Sequence, residues 1–191
     1  MSAQEIKLSL IKSTIRTIAE VGISHTTTKL LAQNAGVNEV YIYRIFGGKD
    51  ELFKEAFIFI DKDFAEAIHD FLPVVYDSHL PIKLQFKKIF DKVWQYALFD
   101  KENCSFFIKY YYSHLYHIDI SNERKTIYAD IMKKFETAFV SGTDTWWLFN
   151  HILDVIFSSA IKVLRNEIPE TQETADQIFD FLYPTIEQYL K

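Results

Sequence analysis

Residues 38–53, NEVYIYRIFGGKDELF, decide how the rest of the chain is read. Asn38 is a good N-cap for a helix running through Ile45, and the Gly47-Gly48 pair breaks the chain after it. Ile42, Ile45 and Phe46 share one face of that helix, which predicts packing against whatever precedes it. Glu39, Val40, Tyr41, Tyr43 and Arg44 are left on the other surfaces. A core helix of two turns has little use for two tyrosines and an arginine together. A helix that touches a partner does.

Upstream, Leu8, Ile11, Ile15 and Ile18 follow helical spacing and predict a first helix ending at Gly22. Thr27 caps a short helix, Thr28 to Ala35, with Leu31 inward and Lys29 outward, and Gly36 stops it. Two short helices joined by Ala35-Gly36-Val37-Asn38 make a helix-turn-helix, a unit that sets its second helix in the major groove of DNA. A tyrosine hydroxyl donates to a phosphate, and a guanidinium binds guanine O6 and N7 in a bidentate way. Lys49 and the free amides of the next helix start suit another phosphate.

Downstream, Lys49 starts a long helix carrying Leu52, Ala56, Ile60, Phe64 and Ala67, and Pro73 and Pro81 are expected to bracket a loop. Further helices are expected at about 81–99, 103–118, 122–140, 144–165 and 172–190. Apolar and polar residues nowhere alternate over a strand's length. The predicted fold is all-α with about nine helices, divided into domains 1–48 and 49–191 and connected by the long helix.

Composition narrows the choice. The 191 residues are 49% hydrophobic and 16% aromatic, far from the disordered regime. Net charge is −5, which argues against a chain that coats nucleic acid along its whole length, but residues 1–50 carry six Lys/Arg against four acids. A mildly basic head on an acidic body results. No run free of charged residues exceeds nine, and MSAQEIKLSL lacks the features of a signal peptide, so a soluble cytoplasmic protein without membrane contact is expected.

Residues from about 6 to 60 resemble the DNA-binding domain of the TetR family of bacterial transcriptional regulators. The matching features are the helix ending at Gly22, the Thr26-Thr27 start, Leu31-Ala32 and Ala35-Gly36-Val37, followed by Ile42-Tyr43, Phe46 and Lys49-Asp50-Glu51-Leu52. The resemblance implies that Thr27, Lys29, Tyr43 and Lys49 contact the DNA backbone, that positions 39–41 and Arg44 read bases, and that Thr28 and Asn38 belong to the same surface. Glu39 stands where a lysine or neutral polar residue is usual, and Val40 and Tyr41 where smaller ones are. The family further implies a homodimer, operator DNA as partner, and a small-molecule effector bound by the C-terminal helices.

The body's residues carry expectations of their own. Residues 144–165 are apolar nearly all round, which predicts burial on several sides. The last helix shows Ile178, Leu182 and Tyr189 on one face and Phe179, Tyr183, Ile186 and Leu190 on another, with Pro184 inside it. One face is expected inward and one on a partner, so Ile156, Phe179, Leu182 and Tyr189 are candidates for a dimer interface. Phe90, Trp94, Tyr110, Tyr111, His114, Trp147 and His151 either line an aromatic effector pocket or belong to an aromatic-rich core. A pocket of that kind suits a mostly apolar or aromatic compound with one or two polar groups.

His114 and His117 are one helical turn apart with Asp119 nearby, but no third fixed ligand is visible, so no metal site is assigned. Cys104 reads as a buried inert thiol. No nucleophile motif, phosphate loop or convincingly spaced carboxylate pair is present, so neither enzyme activity nor a cofactor is expected. The expected function is a dimeric repressor released from its operator by a small ligand. The alternative, suggested by Glu39 and Val40, is an adaptor of the same fold that docks another protein and binds DNA weakly or not at all.

Overall fold

A computed structural model describes residues 1–75 and 79–191. The described residues form ten α-helices and one 3-10 turn (Ile23–His25) and include no strand beyond an isolated bridge between Phe139 and Leu190. The helices are α1 Ala3–Val21, α2 Thr28–Ala35, α3 Val40–Phe46, α4 Lys49–Val75 and α5 Ile82–Phe99. They continue with α6 Lys101–Tyr111, α7 Ile118–Ile127, α8 Ala129–Glu136, α9 Thr145–Leu164 and α10 Gln172–Glu187.

The first helices form where local signals demand them. Ser2 and Glu5 make a reciprocal capping box at α1, and Gly22 donates its N–H to the Ile18 carbonyl at the other end. Ile6, Leu10, Ile11, Ile15 and Ile18 are buried, whereas Leu8, expected inward, is part-exposed at the edge of the stripe. Thr27 Oγ1 accepts from the Leu30 N–H at 3.2 Å, and Gly36 closes α2 with φ 67°, a left-handed conformation that glycine adopts without strain. Replacing Thr27 by alanine should cost about 0.5–2 kcal/mol of stability, read from the urea midpoint. Hydroxyls then tie α1 to α2: Ser13 Oγ donates to the Leu31 carbonyl and Ser9 Oγ to the Ala35 carbonyl, both at 2.9 Å.

By contact the chain forms two compact units, Met1–Asp63 with Glu102–Arg124 and Phe64–Lys101 with Lys125–Lys191. The reason lies in the first half of α4. Leu52, Phe53, Ala56, Phe57 and Ile60 are buried, and Phe57 packs on Phe107 and Tyr110 of α6 with ring centroids 5.1 and 4.9 Å apart. Helix α6 also grips the end of α1, whose last turn carries no basic residue. Lys109 Nζ donates to the Ile18 and Ala19 carbonyls at 3.2 and 2.6 Å, and Ser105 Oγ donates to Ala19 at 3.3 Å. The bonds to Ala19 satisfy a carbonyl that the helix end leaves free.

A second tie in this unit is an ion pair. Arg124 Nε donates to Asp61 Oδ2 at 2.9 Å, with Asp61 0% and Arg124 1% exposed. The guanidinium lies 5.9, 5.6 and 5.5 Å from the ring centroids of Phe57, Phe107 and Tyr111. Rings stacked on both charge and neighbours make up part of the lost hydration.

The second unit packs α9 against α5, α8 and α10. Leu148, Phe149, Leu153, Ile156, Phe157, Ala160 and Val163 of α9 are buried. By length and composition α9 also qualifies as a candidate membrane span, contrary to the expectation drawn from charge-free runs. Asp154 and Lys162 interrupt those runs without making the helix polar, and burial against three neighbours accounts for the apolar content. Lys87 of α5 pairs with Asp91 and, at 2.8 Å, with Asp176 of α10.

Three helix boundaries depart from the sequence reading. The segment expected at 103–118 ends at Tyr111, and Ser113 Oγ donates to the Tyr110 carbonyl at 2.7 Å in the turn that follows. The segment expected at 122–140 is broken into α7 and α8 at Tyr128, whose fully buried ring packs on Phe149 at 5.1 Å. Pro73 falls within α4, which runs to Val75, so it does not open the loop. Pro184 lies inside α10 as expected.

Candidate nucleic-acid interface and apolar cavity

The surface expected to meet DNA is built by two caps and two helices. Asn38 Oδ1 accepts from the Val40 N–H at 2.9 Å, so it starts the turn into α3 while Glu39 takes the cap position one residue later than expected. Ile42 and Phe46 are buried as a pair, with Ile45 at the margin, and this fixes which side of α3 faces out. That side presents Val40, 61% exposed, and Tyr43, 55% exposed, with Arg44 also exposed. Thr27, Lys29 and Asn38 are exposed, while Thr28, Glu39, Tyr41 and Lys49 are half-buried. Lys49 Nζ sits 5.6 Å from the Phe53 ring centroid, held near the start of α4.

One contact joins the two helices of the motif. Thr28 Oγ1 at the start of α2 donates to Glu39 Oε1 at the start of α3. Sequence reasoning placed both on the surface but had no signal for the bond, because the partners are eleven positions apart and belong to different helices.

The first unit also holds a polar cleft of ≈ 210 Å³, whose walls include Asp50, Glu51, Lys54, Tyr110, His117 and Asp119. Burial, followed by the nearby Glu51 and Asp50 carboxylates, pushes the Tyr110 hydroxyl well above the ordinary tyrosine range. Tyr110 therefore stays neutral and serves as a hydrogen-bonding wall. His114 is exposed. Among the described residues no three His, Cys, Asp or Glu side chains cluster to hold a metal.

A different cavity lies in the second unit, ≈ 50 Å³ in volume and lined only by aliphatic and phenyl side chains. Ile68 and Leu72 of α4, Phe86, Phe90 and Val93 of α5, Ile131 and Phe135 of α8, Phe149, Ile152 and Ile156 of α9, and Phe179, Leu182 and Ile186 of α10 form its walls, with Ile89 and Leu153. One water needs roughly 10–15 Å³ of such space. The cavity thus admits a narrow apolar group, and a larger ligand must push its walls apart.

These walls differ from the expected set of pocket residues. Of the seven candidates only Phe90 lines the cavity; Trp94 is buried beside it, stacked on Phe90 at 6.1 Å. Tyr110 and Tyr111 belong to the first unit, Tyr111 stacking on Phe107 at 5.8 Å. Trp147 is 59% exposed and stacks in parallel on His151 at 5.5 Å. Most of the residues expected at an interface lie inside the chain. Ile156, Phe179 and Leu182 are buried inside the chain and line the cavity, so they present nothing to a partner. Tyr189 is half-buried, its carbonyl accepting from the Val140 N–H at 2.9 Å. The outward side of α10 carries Phe181, 83% exposed. The sequence showed two apolar faces on α10, but both turn into the same core because the cavity is wrapped from several sides.

Residues 10–56 match the family model described as bacterial regulatory proteins, tetR family. Solved structures share the whole fold. A TetR family transcription regulator from Marinobacter aquaeolei VT8 is 14% identical, with 95% of each chain covered and a TM-score of 0.75. A TetR-family transcriptional regulator from Haemophilus influenzae Rd is 18% identical over 95% of this chain and 96% of its own, with a TM-score of 0.67. The transcriptional regulator FadR from Bacillus subtilis, solved in complex with stearoyl-CoA, is 16% identical over 92% and 96%, with a TM-score of 0.67. No curated protein matches the sequence.

Proposed function

We propose that this chain, a TetR-family regulator by its residues 10–56 and by its fold, is a dimeric repressor that an apolar ligand releases from operator DNA. The observation that carries this reading is the pairing of an outward α3 surface, rich in Tyr, Arg and neighbouring Lys, with an apolar cavity in the other unit. A ligand shifts DNA binding only through different affinity for the bound and released conformations of the dimer. A cavity that must open to be filled supplies such a difference.

The wall chemistry names the ligand class. With no polar group among the lining side chains, the buried part of the ligand is hydrocarbon, and any charged head remains outside. FadR of Bacillus subtilis was solved with stearoyl-CoA, and a linear acyl chain is the narrow apolar shape this cavity favours. The expected aromatic compound with polar partners is replaced by this class. Trp147 with His151 and the exposed Phe181 supply outward apolar surface on α9 and α10 for the second protomer.

Genomic fragments retained by the purified chain would identify the operator. Binding to them should weaken steeply with salt, whereas a protein-docking adaptor would show no such slope. Arg44→Ala should cost about 1–3 kcal/mol on the preferred site and relax one base pair, while Lys49→Ala should weaken all sequences alike and lower the salt slope by roughly one. Equal losses on specific and random DNA for Arg44→Ala would reject its base-reading role. Fatty acids and acyl thioesters of graded length, at about a hundredfold excess over Kd, should stabilise the chain by about 2.7 kcal/mol and release the DNA. A response confined to short, strongly polar compounds would overturn the ligand class.

A further inference from the structure

We infer that Glu39 reads a cytosine in the operator, with Thr28 as the residue that positions it; this rests on the DNA-binding reading above. The carboxylate sits half-buried between the starts of α2 and α3, beside exposed Asn38 and Val40. Its Oε1 accepts from Thr28 Oγ1, which leaves Oε2 for an outside donor. No lysine or arginine pairs with it among the described residues. A carboxylate held in one place on a phosphate-facing surface opposes binding to DNA in general. It becomes favourable only where a base edge offers it a hydrogen.

Base chemistry then selects the partner. In the major groove guanine presents only acceptors, N7 and O6, and thymine presents the O4 acceptor and a methyl group. A carboxylate can only accept, so both repel it. Adenine offers the N6 amino group, but the N7 acceptor lies beside it on the same edge. Cytosine offers the N4 amino group with a C–H next to it, so it alone supplies a donor without an adjacent repulsion. The arrangement penalises wrong sequences as much as it rewards the right one. The hydrogen bond from Thr28 fixes the side chain before DNA arrives, so little rotamer freedom remains to be lost on binding.

The test is selection of duplexes from a random library by the full-length chain, followed by affinity measurement on the enriched sequences. The wild-type motif should hold one cytosine per half-site that is preferred about tenfold over other bases. Glu39→Gln should move the preference at that position to adenine, whose N6 and N7 a carboxamide matches. Thr28→Val should flatten the cytosine preference by far more than it lowers affinity for random DNA, and Thr28→Ser should restore it. A structural role for Thr28 alone would instead lower affinity for every sequence. If Glu39→Gln enriches the wild-type motif, or if the position that changes holds G or T, the inference is overturned while DNA binding stands. If the wild type enriches no motif, the DNA-binding reading fails and takes the inference with it.

Discussion

Arg124→Ala is expected to destabilise the chain by about 3–5 kcal/mol, the cost of leaving a buried charge without its counterion. Asp61 is fully buried, so removal of the guanidinium takes away the cation its carboxylate pairs with and does not release that carboxylate to water. Arg124→Ala also deletes the cation that the Phe57, Phe107 and Tyr111 rings face. Asp61→Asn should destabilise less than Arg124→Ala, because an amide can still accept one hydrogen bond. The double replacement Asp61→Leu with Arg124→Met should recover most of the loss, since apolar residues of similar volume need no desolvation. Urea unfolding at low and high salt would read all three. A loss below about 1 kcal/mol for Arg124→Ala, or one that added salt abolishes, would mean that water reaches the pair.

Leu182→Glu and Phe181→Glu should separate just as widely, although the two residues are neighbours. Leu182 points into the cavity, where no polar side chain can meet a carboxylate. Several kcal/mol of destabilisation are expected, with loss of cooperative unfolding or of the folded state itself. Phe181 lies on the solvent side of α10 and is 83% exposed in one chain. Its replacement should keep the helical circular-dichroism signal and, on the dimer reading, halve the sedimenting mass. A stable Leu182→Glu variant with an unfolded Phe181→Glu variant would require α10 to be turned about its axis.

The contrast between those two positions shows where sequence reading stopped. The short helices of the motif were legible because each is bounded by a residue with a local mechanism: Thr27 and Asn38 at starts, Gly36 and Gly47 at ends. Even there one position of α1 was misplaced, since Leu8 and Leu10 are both apolar and only packing chooses between them, while Ile11, Ile15 and Ile18 are buried as expected. The break at Tyr128 carries no glycine or proline to announce it. The cavity was illegible for a deeper reason. Its walls come from α4, α5, α8, α9 and α10, and periodicity shows that a face is apolar without saying which neighbour covers it. Aromatic richness near residues 106–112 suggested a pocket, yet Phe107 and Tyr110 pack on Phe57 of α4, and Phe107 and Tyr111 face the Arg124 side chain.

The interleaving of the two units has a consequence for biosynthesis. The first unit needs residues up to Arg124, and its buried ion pair joins positions 63 apart in the chain. At ~5–20 residues per second, Asp61 waits roughly 3–13 s on the ribosome before its partner has been made. During that interval Phe57 also lacks Phe107 and Tyr110, so the nascent segment exposes the apolar face that α6 later covers. Nascent chains stalled before residue 101 should therefore be protease-sensitive in α4, and chains stalled well past 124 should be protected, with α1 stapled at its end by Lys109.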